Sequence, residues 1–479
     1  MSYYNSTLQS HMDRLWDLVI RYGLDPTMSL KYISCLLDIK HLDWKRKREG
    51  GNLGRNRLWE EMAIHGVDYF LSIRDEDLLV LPRTIETSRL TPDLLVESMA
   101  IIGYIYDEIE IRYSEGDCSP EVLEGFLYEQ LLSRTVLLGN RGQFRTPRHI
   151  VQLMVELIQP QKEDVIVDPV CGTGGFLLSA CEYITRERLR KENSANIEKD
   201  LDGFDSIGTD CRLDWNRWRF PVIGWDNDET MVMLARMNFR MHGIEEVGIT
   251  QKDSLDRGLE LERKADVVLA NPPFGIRIRN RETGRVEASE MLFLKYIFEQ
   301  LRSGGRAAVV VPEGVVFNND KVYRELRKVL VEQMHLMAVI SLPAGAFQPY
   351  TQGKSTVLIF VNECVGSGLY PVWFYELESD GYSLDINRQR LKDFPLVELV
   401  DFYNRGRVNP ENNRSFFVSS EDIRSNRYDL SYNLYKPDQY IKQDIVEPQE
   451  ILRQLMNLEE EVYQEMKELN SYFRARWNL

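Results

Sequence analysis

The spacing of apolar positions divides the chain into a helical first part, a middle part that alternates between two patterns, and a polar tail. Residues 1 to about 140 carry apolar positions three and four residues apart, as in the run from Val122 to Leu132, which is typical of amphipathic helices. From about 142 to 378, short β-like runs alternate with helical runs. This alternation predicts a doubly wound α/β domain.

The alternating part contains seven strand-like runs and five helical runs. The predicted strands are 164–167, 221–225, 247–251, 266–270, 306–311, 336–341 and 355–361. The predicted helices are 147–158, 176–190, 228–242, 290–302 and 320–332. In open sheets of this kind ligands bind beyond the carboxyl ends of the strands, and the unusual motifs of this chain follow predicted strands.

The tail after Asn404 is polar at first and then becomes periodic. From about residue 449, apolar residues recur every three or four positions among Glu and Lys: Ile451, Leu455, Leu458, Val462, Met466, Leu469 and Phe473. The pattern predicts a long amphipathic helix that packs either on its own domain or against a partner helix. We therefore expect a helical N-terminal domain over 1–141, an α/β domain over 142–400 and a C-terminal segment over 401–479.

Composition indicates a globular protein with a substantial core. Of 479 residues, 43% are hydrophobic and 28% are charged, and the six cysteines form no CxxC pair. No apolar run approaches 18 residues and the first ten residues are polar, so we expect neither a membrane span nor a secretion signal, and a cytoplasmic location. The net charge of −16 repels a phosphate backbone, so binding to nucleic acid would need local basic patches or a partner.

A glycine-rich turn follows the first predicted strand. The stretch from Asp168 to Phe176 reads as a strand end, a tight turn with three glycines and a helix start. Glycines let the backbone approach a ligand closely, and the free N–H groups of a helix start face that ligand. The Asp168 carboxylate would repel a pyrophosphate and suits a cationic or amine-bearing ligand. The turn therefore predicts a cofactor site, with an ordinary strand-to-helix turn as the alternative.

A second motif, Asn271-Pro272-Pro273-Phe274, follows the predicted strand that ends at Ala270. The prolines fix the backbone and lack N–H groups, so the Asn271 side chain and the Pro272 carbonyl become acceptors held at a strand end. Two such acceptors suit an incoming –NH₂ group, and Phe274 offers a face on which a base can stack. An Asn-Pro turn into a loop is the alternative.

Together the two motifs resemble those of class I S-adenosyl-L-methionine-dependent methyltransferases of the N6-adenine DNA type. The segment Gly142–Arg148 is further similar to the GQF(Y)TPR segment of the modification subunit of type I restriction-modification systems. Three more segments match that family in the family's order: Gly304–Pro312, Leu342–Phe347 and Tyr428–Tyr435.

The resemblance implies S-adenosyl-L-methionine as cofactor and assigns residues to it. The implied cofactor-binding residues are Gln143, Phe144, Arg145, Thr146, Pro147, Arg148, Asp168, Gly172, Thr173, Gly174, Gly175, Asp226 and Asp253. Asp226 would bind the ribose hydroxyls, and Asp253 would accept a hydrogen bond from the adenine amine of the cofactor. The chain departs from the family where Trp225-Asp226 replaces the more frequent Gln-Glu, and where Arg145 replaces an aromatic residue.

The implied reaction is methyl transfer to the N6 amine of an adenine flipped out of DNA, with Asn271, Pro272, Pro273 and Phe274 as catalytic residues and no metal. The expected partners are double-stranded DNA and a DNA-specificity subunit that docks on the C-terminal helix. A restriction subunit (nuclease or translocase) and a second copy of the chain are further partners, and no membrane is involved. The alternatives are a catalytically silent subunit that binds cofactor or DNA, and a protein-glutamine methyltransferase.

Two segments keep two interpretations each. The arginines between Arg277 and Arg285 either contact phosphates beside the pocket or belong to a solvated loop. The insertion at 191–220, which contains Trp215 and Trp218, either stacks on bases or packs against its own domain.

Overall fold

The fold is taken from a computed structural model. It describes residues 2–48, 58–80, 85, 89–115, 119–134, 146–192, 220–256, 264–279, 284–348, 351–363, 370–384, 388–392, 395–407, 414–437, 453, 456, 459–460 and 462–467.

The described residues of the first part of the chain form five helices. They are α1 Ser2–Arg21, α2 Pro26–Arg48, α3 Leu58–Ser72, α4 Pro92–Ser114 and α5 Pro120–Ser133. Helix α4 begins with an N-cap: the Thr91 hydroxyl accepts a hydrogen bond from the Leu94 N–H, and Pro92 occupies the first helical position. The apolar faces of these helices share one core with Leu234 and Met237, which come from the α/β part.

The α/β part contains eleven strands and nine helices among the described residues. The strands are β1 Ile166–Asp168, β2 Val222–Asp226, β3 Gly248–Gln251, β4 Ala265–Ala270, β5 Arg277–Arg279, β6 Val286–Ala288, β7 Leu301–Pro312, β8 His335–Ser341, β9 Ser355–Val361, β10 Val372–Glu376 and β11 Ser415–Val418. The helices are α6 Arg148–Ile158, α7 Gly175–Glu192, α8 Glu229–Met241, α9 Ser289–Gln300, α10 Glu313–Phe317, α11 Lys321–Glu332, α12 Leu396–Asn404, α13 Ser420–Ser425 and α14 Tyr432–Tyr435.

Nine strands form one sheet in the order β11-β10-β8-β9-β7-β4-β1-β2-β3. Strand β9 runs antiparallel to β7 and β8, β11 runs antiparallel to β10, and the remaining neighbours are parallel. All six residues of β4 are buried, as in a parallel strand covered on both faces. The predicted doubly wound α/β sheet is confirmed.

Alternate residues of the central strands face two separate apolar cores. Ile166 and Val267 face the core formed with α6, α7 and α12, while Val167 and Val268 face the core formed with α9 and α11. This alternation follows from the two-residue period of a strand. In open α/β sheets with helices on both faces, ligands bind beyond the carboxyl ends of the strands.

The chain forms two compact units, Met1–Tyr435 and Lys436–Leu479. In the second unit the described residues 453, 456, 459–460 and 462–467 are helical, as their spacing predicts. Val462 and Met466, two of the predicted apolar positions, are 53% and 65% exposed. The other five predicted positions lie outside the described residues. Across the described part of the chain, no helix combines the length and the apolar character needed to cross a membrane.

Candidate active site

Polar residues end four neighbouring parallel strands on one edge of the sheet. Asp168 is the last residue of β1, Asp226 is the last of β2, Asp253 lies two residues beyond β3, and Asn271 directly follows β4. Because β4, β1, β2 and β3 are adjacent and parallel, their carboxyl ends meet at the same edge. Both motifs therefore lie at one site.

The glycine turn between β1 and α7 has the backbone geometry that its glycines allow. Gly172 and Gly174 have φ angles of 52° and 79°, which side chains other than hydrogen rarely accommodate. A Cβ on Gly174 would lie 3.0 Å from Cε2 of Phe239. A Cβ on Gly172 or Gly175 would meet no described heavy atom within 4 Å. The turn therefore packs on α8 on one side and leaves space for a ligand on the other.

Two carboxyl groups lie beside this turn. Oδ2 of Asp226 accepts a hydrogen bond from the Gly172 N–H (3.0 Å), and Oδ1 accepts one from the Asp228 N–H (2.9 Å). Each oxygen keeps a second lone pair, so the carboxylate can still accept hydroxyl groups of a ligand. Burial raises the pKa of Asp226 above its usual range.

Asp168 is only 1% exposed, and its Oδ1 accepts a hydrogen bond from the Val170 N–H (3.0 Å). Burial, with a smaller contribution from the nearby Asp226 carboxylate, raises the pKa of Asp168 to about 8. Negative charge on these two groups is therefore costly in the protein alone. A positively charged ligand would offset that cost.

The Asn271 side chain has one satisfied end and one unsatisfied end. Its Nδ2 donates a hydrogen bond to Oγ1 of Thr146 (2.9 Å), which connects the Asn-Pro-Pro-Phe motif to the segment before α6. Its Oδ1 is buried and accepts no hydrogen bond from any described residue. A buried acceptor without a donor costs about 1–3 kcal/mol. This oxygen is therefore placed to accept a hydrogen from a ligand.

The rest of the motif is held by the residues that follow it. The Pro273 carbonyl accepts a hydrogen bond from the Ser289 hydroxyl (2.6 Å), and the Gly275 N–H donates to Oε2 of Glu290 (3.3 Å). The half-buried Phe274 ring meets the Phe347 ring edge to face, with 6.1 Å between centroids. Phe347 belongs to the Leu342–Phe347 turn after β8, so two of the family-like segments meet at the aromatic wall.

The remaining predicted residues have these positions. Asp253 is exposed and its Oδ1 accepts a hydrogen bond from the Leu255 N–H (3.0 Å), while the neighbouring Ser254 hydroxyl donates to the Pro169 carbonyl. Pro147 is the residue before α6 and Arg148 is its first residue. Gln143, Phe144, Arg145 and most of the 191–220 insertion lie outside the described residues. Among the described residues, no group of three histidine, cysteine or acidic side chains could hold a metal ion.

One bridging residue at the turn was not predicted. Asn238 in α8 is fully buried, and its Nδ2 donates to the Thr173 carbonyl (3.1 Å) and to Oε1 of Glu129 in α5 (3.0 Å). The glycine turn is thus linked through one side chain to the N-terminal helices. In the sequence, Asn238 is visible only as a polar residue next to the apolar positions Met237 and Phe239. That pattern does not identify Thr173 and Glu129 as its partners.

The Trp225 side chain points away from the turn. It is 4% exposed and packs with the core of α9, where its ring lies 6.4 Å from that of Tyr296. Trp225, which replaces the family's more frequent Gln, therefore lies on the face of the sheet opposite to Cys171 and Leu177. Those two side chains pack against Gly224.

Comparison with known proteins agrees with this architecture. The family model described as N-6 DNA Methylase matches residues 121–444. The EcoEI methylase subunit of a type I restriction enzyme from Escherichia coli is 30% identical over 71% of this chain and 66% of its own length. The StySPI methylase subunit from Salmonella potsdam is 30% identical over 57% of this chain and 52% of its own length. The chain thus spans about half to two thirds of the length of these curated relatives.

A crystal structure shows the same fold over most of the chain. It is that of a modification subunit of a putative type I restriction enzyme from Vibrio vulnificus YJ016, with a TM-score of 0.62 and 20% identity over 91% of this chain and 97% of that one. The predicted class I methyltransferase fold and the predicted resemblance to type I modification subunits are confirmed. On the evidence of the family match, the chain belongs to the N-6 DNA methylase family.

Proposed function

We propose that this chain transfers the methyl group of S-adenosyl-L-methionine to the N6 amine of an adenine flipped out of double-stranded DNA. The observation that carries the proposal is the buried Oδ1 of Asn271, which accepts no hydrogen bond within the described part of the chain, at the strand edge that also holds the glycine turn. Membership of the N-6 DNA methylase family supports the same reaction and does not favour protein glutamine as substrate.

The residues beside the turn fit the cofactor. Gly172 and Gly175 leave space beside the turn for the cofactor to approach the backbone, and Asp226 can accept its ribose hydroxyls. Asp253 would accept from its adenine amine. The raised pKa of Asp168 fits a cationic group nearby, because a sulfonium would stabilise the ionised carboxylate. When bound, the cofactor supplies a methyl group that is already activated towards a nucleophile.

The protein's contribution to the reaction is alignment and electrostatic stabilisation. Oδ1 of Asn271 and the Pro272 carbonyl would each accept one hydrogen of the N6 amine, which turns the nitrogen lone pair towards the methyl carbon. Positive charge would then develop on the nitrogen, both hydrogen bonds would strengthen in the transition state, and the methylated nitrogen would release one of its two protons to solvent. Thr146 holds the Asn271 amide in this orientation. Phe274, braced by Phe347, would stack on the flipped base.

The proposed partners are double-stranded DNA and a DNA-specificity subunit, with a restriction subunit and a second copy of the chain as further members of a complex. We assign residues 1–141 to a helical domain, 142–400 to the methyltransferase domain and 401–479 to a docking segment. Support for the docking segment comes from the exposed Met456, Val462 and Met466 on described helical residues. An exposed apolar face of this kind suits a partner helix.

The direct test is methyl transfer by the full chain, alone and with the specificity subunit. Purified protein is incubated with labelled S-adenosyl-L-methionine and adenine-containing duplex DNA, and the hydrolysed DNA is analysed by mass spectrometry. We expect the label in N6-methyladenine. Cofactor binding without any methylated product, in the presence of the specificity subunit, would contradict the proposed reaction and indicate a silent subunit.

A further inference from the structure

The β5–β6 hairpin extends directly from the Asn-Pro-Pro-Phe motif. Only Gly275 and Ile276 separate Phe274 from β5, and β6 leads without a break into α9. The Ser289 N–H donates to the Ile276 carbonyl (2.8 Å), while the Ser289 hydroxyl donates to Pro273. The base of the hairpin is therefore fixed to the motif that is proposed to hold the target adenine.

The pairing register gives the hairpin two different faces. Arg277 pairs with Ala288, Ile278 with Glu287, and Arg279 with Val286. Directly paired residues point to the same side of an antiparallel ladder, and successive residues point to opposite sides. Arg277, Arg279, Val286 and Ala288 thus share one face, and Ile278 and Glu287 share the other.

The inner face packs on the protein, and on the outer face Ala288 does so as well. Glu287 has a side chain that is only 10% exposed and forms an ion pair with Lys295 of α9 (2.6 Å). On the outer face Arg277 and Arg279 are exposed, and Val286 is 52% exposed. Among the described residues, neither arginine forms a hydrogen bond or an ion pair. Their charge is available to a ligand.

This outer face differs in charge from the chain as a whole. The chain carries a net charge of −16, which disfavours contact with DNA. Two guanidinium groups two residues apart on one strand, which pair with no described residue, provide local positive charge next to the proposed target-base pocket. Guanidinium groups bind phosphate oxygens through paired N–H donors, and phosphate contacts of this kind position a protein on a duplex.

We propose that the outer face of the β5–β6 hairpin, defined by Arg277, Arg279 and Val286, binds the DNA backbone beside the flipped adenine, with both arginines on phosphate groups. This inference rests on the proposed function, because DNA is the ligand in both. It distinguishes between the two interpretations that the sequence left open: the arginines of this segment are a DNA contact and not only a solvated loop.

The salt dependence of DNA binding tests this contact. Binding of the full chain to a fluorescent adenine-containing duplex is measured by anisotropy between 50 and 200 mM salt, for the wild type and for the double variant Arg277→Gln/Arg279→Gln. The slope of log K against log salt is negative, and each lost phosphate contact reduces its magnitude by roughly 0.9. We therefore expect the magnitude of the slope to decrease by about 1.8 in the arginine variant, with an affinity loss of about tenfold or more.

A matched variant controls for the loss of net charge. Lys162→Gln/Lys264→Gln removes the same two positive charges at the opposite edge, because these residues precede β1 and β4. We expect its slope to equal that of the wild type. Thermal melting of the arginine variant should match that of the wild type, since neither arginine contributes an ion pair among the described residues. The lysine variant loses the exposed hydrogen bond from Lys264 to the Glu299 carbonyl and the exposed Lys162–Glu163 pair, so its melting is measured to show that it remains folded.

The outcomes separate this inference from the proposed reaction. An unchanged slope in the arginine variant, a slope decreased equally in the lysine variant, or no binding of DNA by the wild type at 50 mM salt would each overturn the hairpin contact. The first two leave methyl transfer unaffected. Conversely, a slope that falls only in the arginine variant supports the contact even if the wild type methylates no adenine.

Discussion

Replacing Asn271 by Ala should greatly slow methyl transfer and leave the folded protein as stable as before. The expectation follows from the two ends of the side chain. The Asn271 amide donates one hydrogen bond from Nδ2 to Thr146, and its buried Oδ1 has no donor among the residues that the structure describes. Such a hydrogen bond contributes about 0.5–1.5 kcal/mol, and an unpaired buried acceptor costs about 1–3 kcal/mol. In the free energy of unfolding, the loss of this hydrogen bond and the removal of this acceptor nearly cancel, or their sum favours the variant.

The effect on the reaction has no such compensation. Oδ1 would accept a hydrogen whose nitrogen becomes positive in the transition state, and the loss of one comparable preorganised group costs about 2.7–4 kcal/mol. Since about 1.4 kcal/mol corresponds to a factor of ten in rate, we expect kcat to fall by about 10²–10³. Binding of S-adenosyl-L-methionine should stay within about twofold, because Asn271 acts on the target amine.

The matched pair Thr146→Val and Thr146→Ser tests the same geometry at Thr146, the residue that accepts the hydrogen bond from the Asn271 amide. Valine removes the oxygen that orients the Asn271 amide, which should slow the reaction by about five- to tenfold, the equivalent of one neutral hydrogen bond. Serine keeps the oxygen and should keep the rate. The assays are single-turnover transfer of labelled methyl to duplex DNA, calorimetry for the cofactor and thermal melting. An Asn271→Ala variant with near-wild-type turnover, or one whose lost activity parallels a lowered melting temperature, would refute this reasoning.

Three further predictions follow from other parts of the molecule. Folding raises the pKa of Asp168 to about 8, so the folded state retains a proton that the unfolded state releases between about pH 4 and 8; stability is lost as pH rises through this window. Asp168→Asn should remove this loss. The melting temperatures of the variant and the wild type, measured from about pH 5 to 9, should therefore differ increasingly towards high pH, and a difference that does not change with pH would contradict the assigned pKa. Asn238→Ala should weaken cofactor binding several-fold in calorimetry, because the Thr173 carbonyl loses its hydrogen bond. The control Arg240→Gln breaks a contact between α8 and Asp38 of the N-terminal helices without touching the turn, and it should leave cofactor binding unchanged. Equal losses of affinity in the two variants would indicate a general effect of the interface. Truncation at about residue 445 should abolish co-elution with the specificity subunit while cofactor affinity is retained; unchanged assembly would exclude the docking role of the C-terminal helix.

Local patterns predicted the sheet and its functional edge well, because both depend on features that are close in sequence. All seven predicted strands are present, and the two motifs follow β1 and β4 as expected. Strand β7 begins at Leu301, five residues before the predicted start, because Leu301 pairs with Ala265 ahead of an irregular register. Strand prediction from short runs of sequence cannot detect a pairing that is interrupted in this way.

Other features depend on contacts between distant residues and could not be predicted. The strands of the β5–β6 hairpin are not among the predicted strands, because strands of three residues rich in arginine carry almost no strand signal. Strands β10 and β11 pair with each other across about forty residues. The Asn271–Thr146 hydrogen bond spans 125 positions, and the Asn238–Glu129 bond spans 109. Each of these partners is selected by tertiary packing.

A crystal structure of the full chain with S-adenosylhomocysteine would show the cofactor product and Asn271 in one site. We expect the ribose hydroxyls on Asp226, the sulfur beside the glycine turn, and Oδ1 of Asn271 facing the sulfur across space sufficient for one methyl group and one amine. A ligand bound away from the carboxyl ends of β1 and β2, or an Asn271 side chain turned away from the sulfur, would contradict this arrangement.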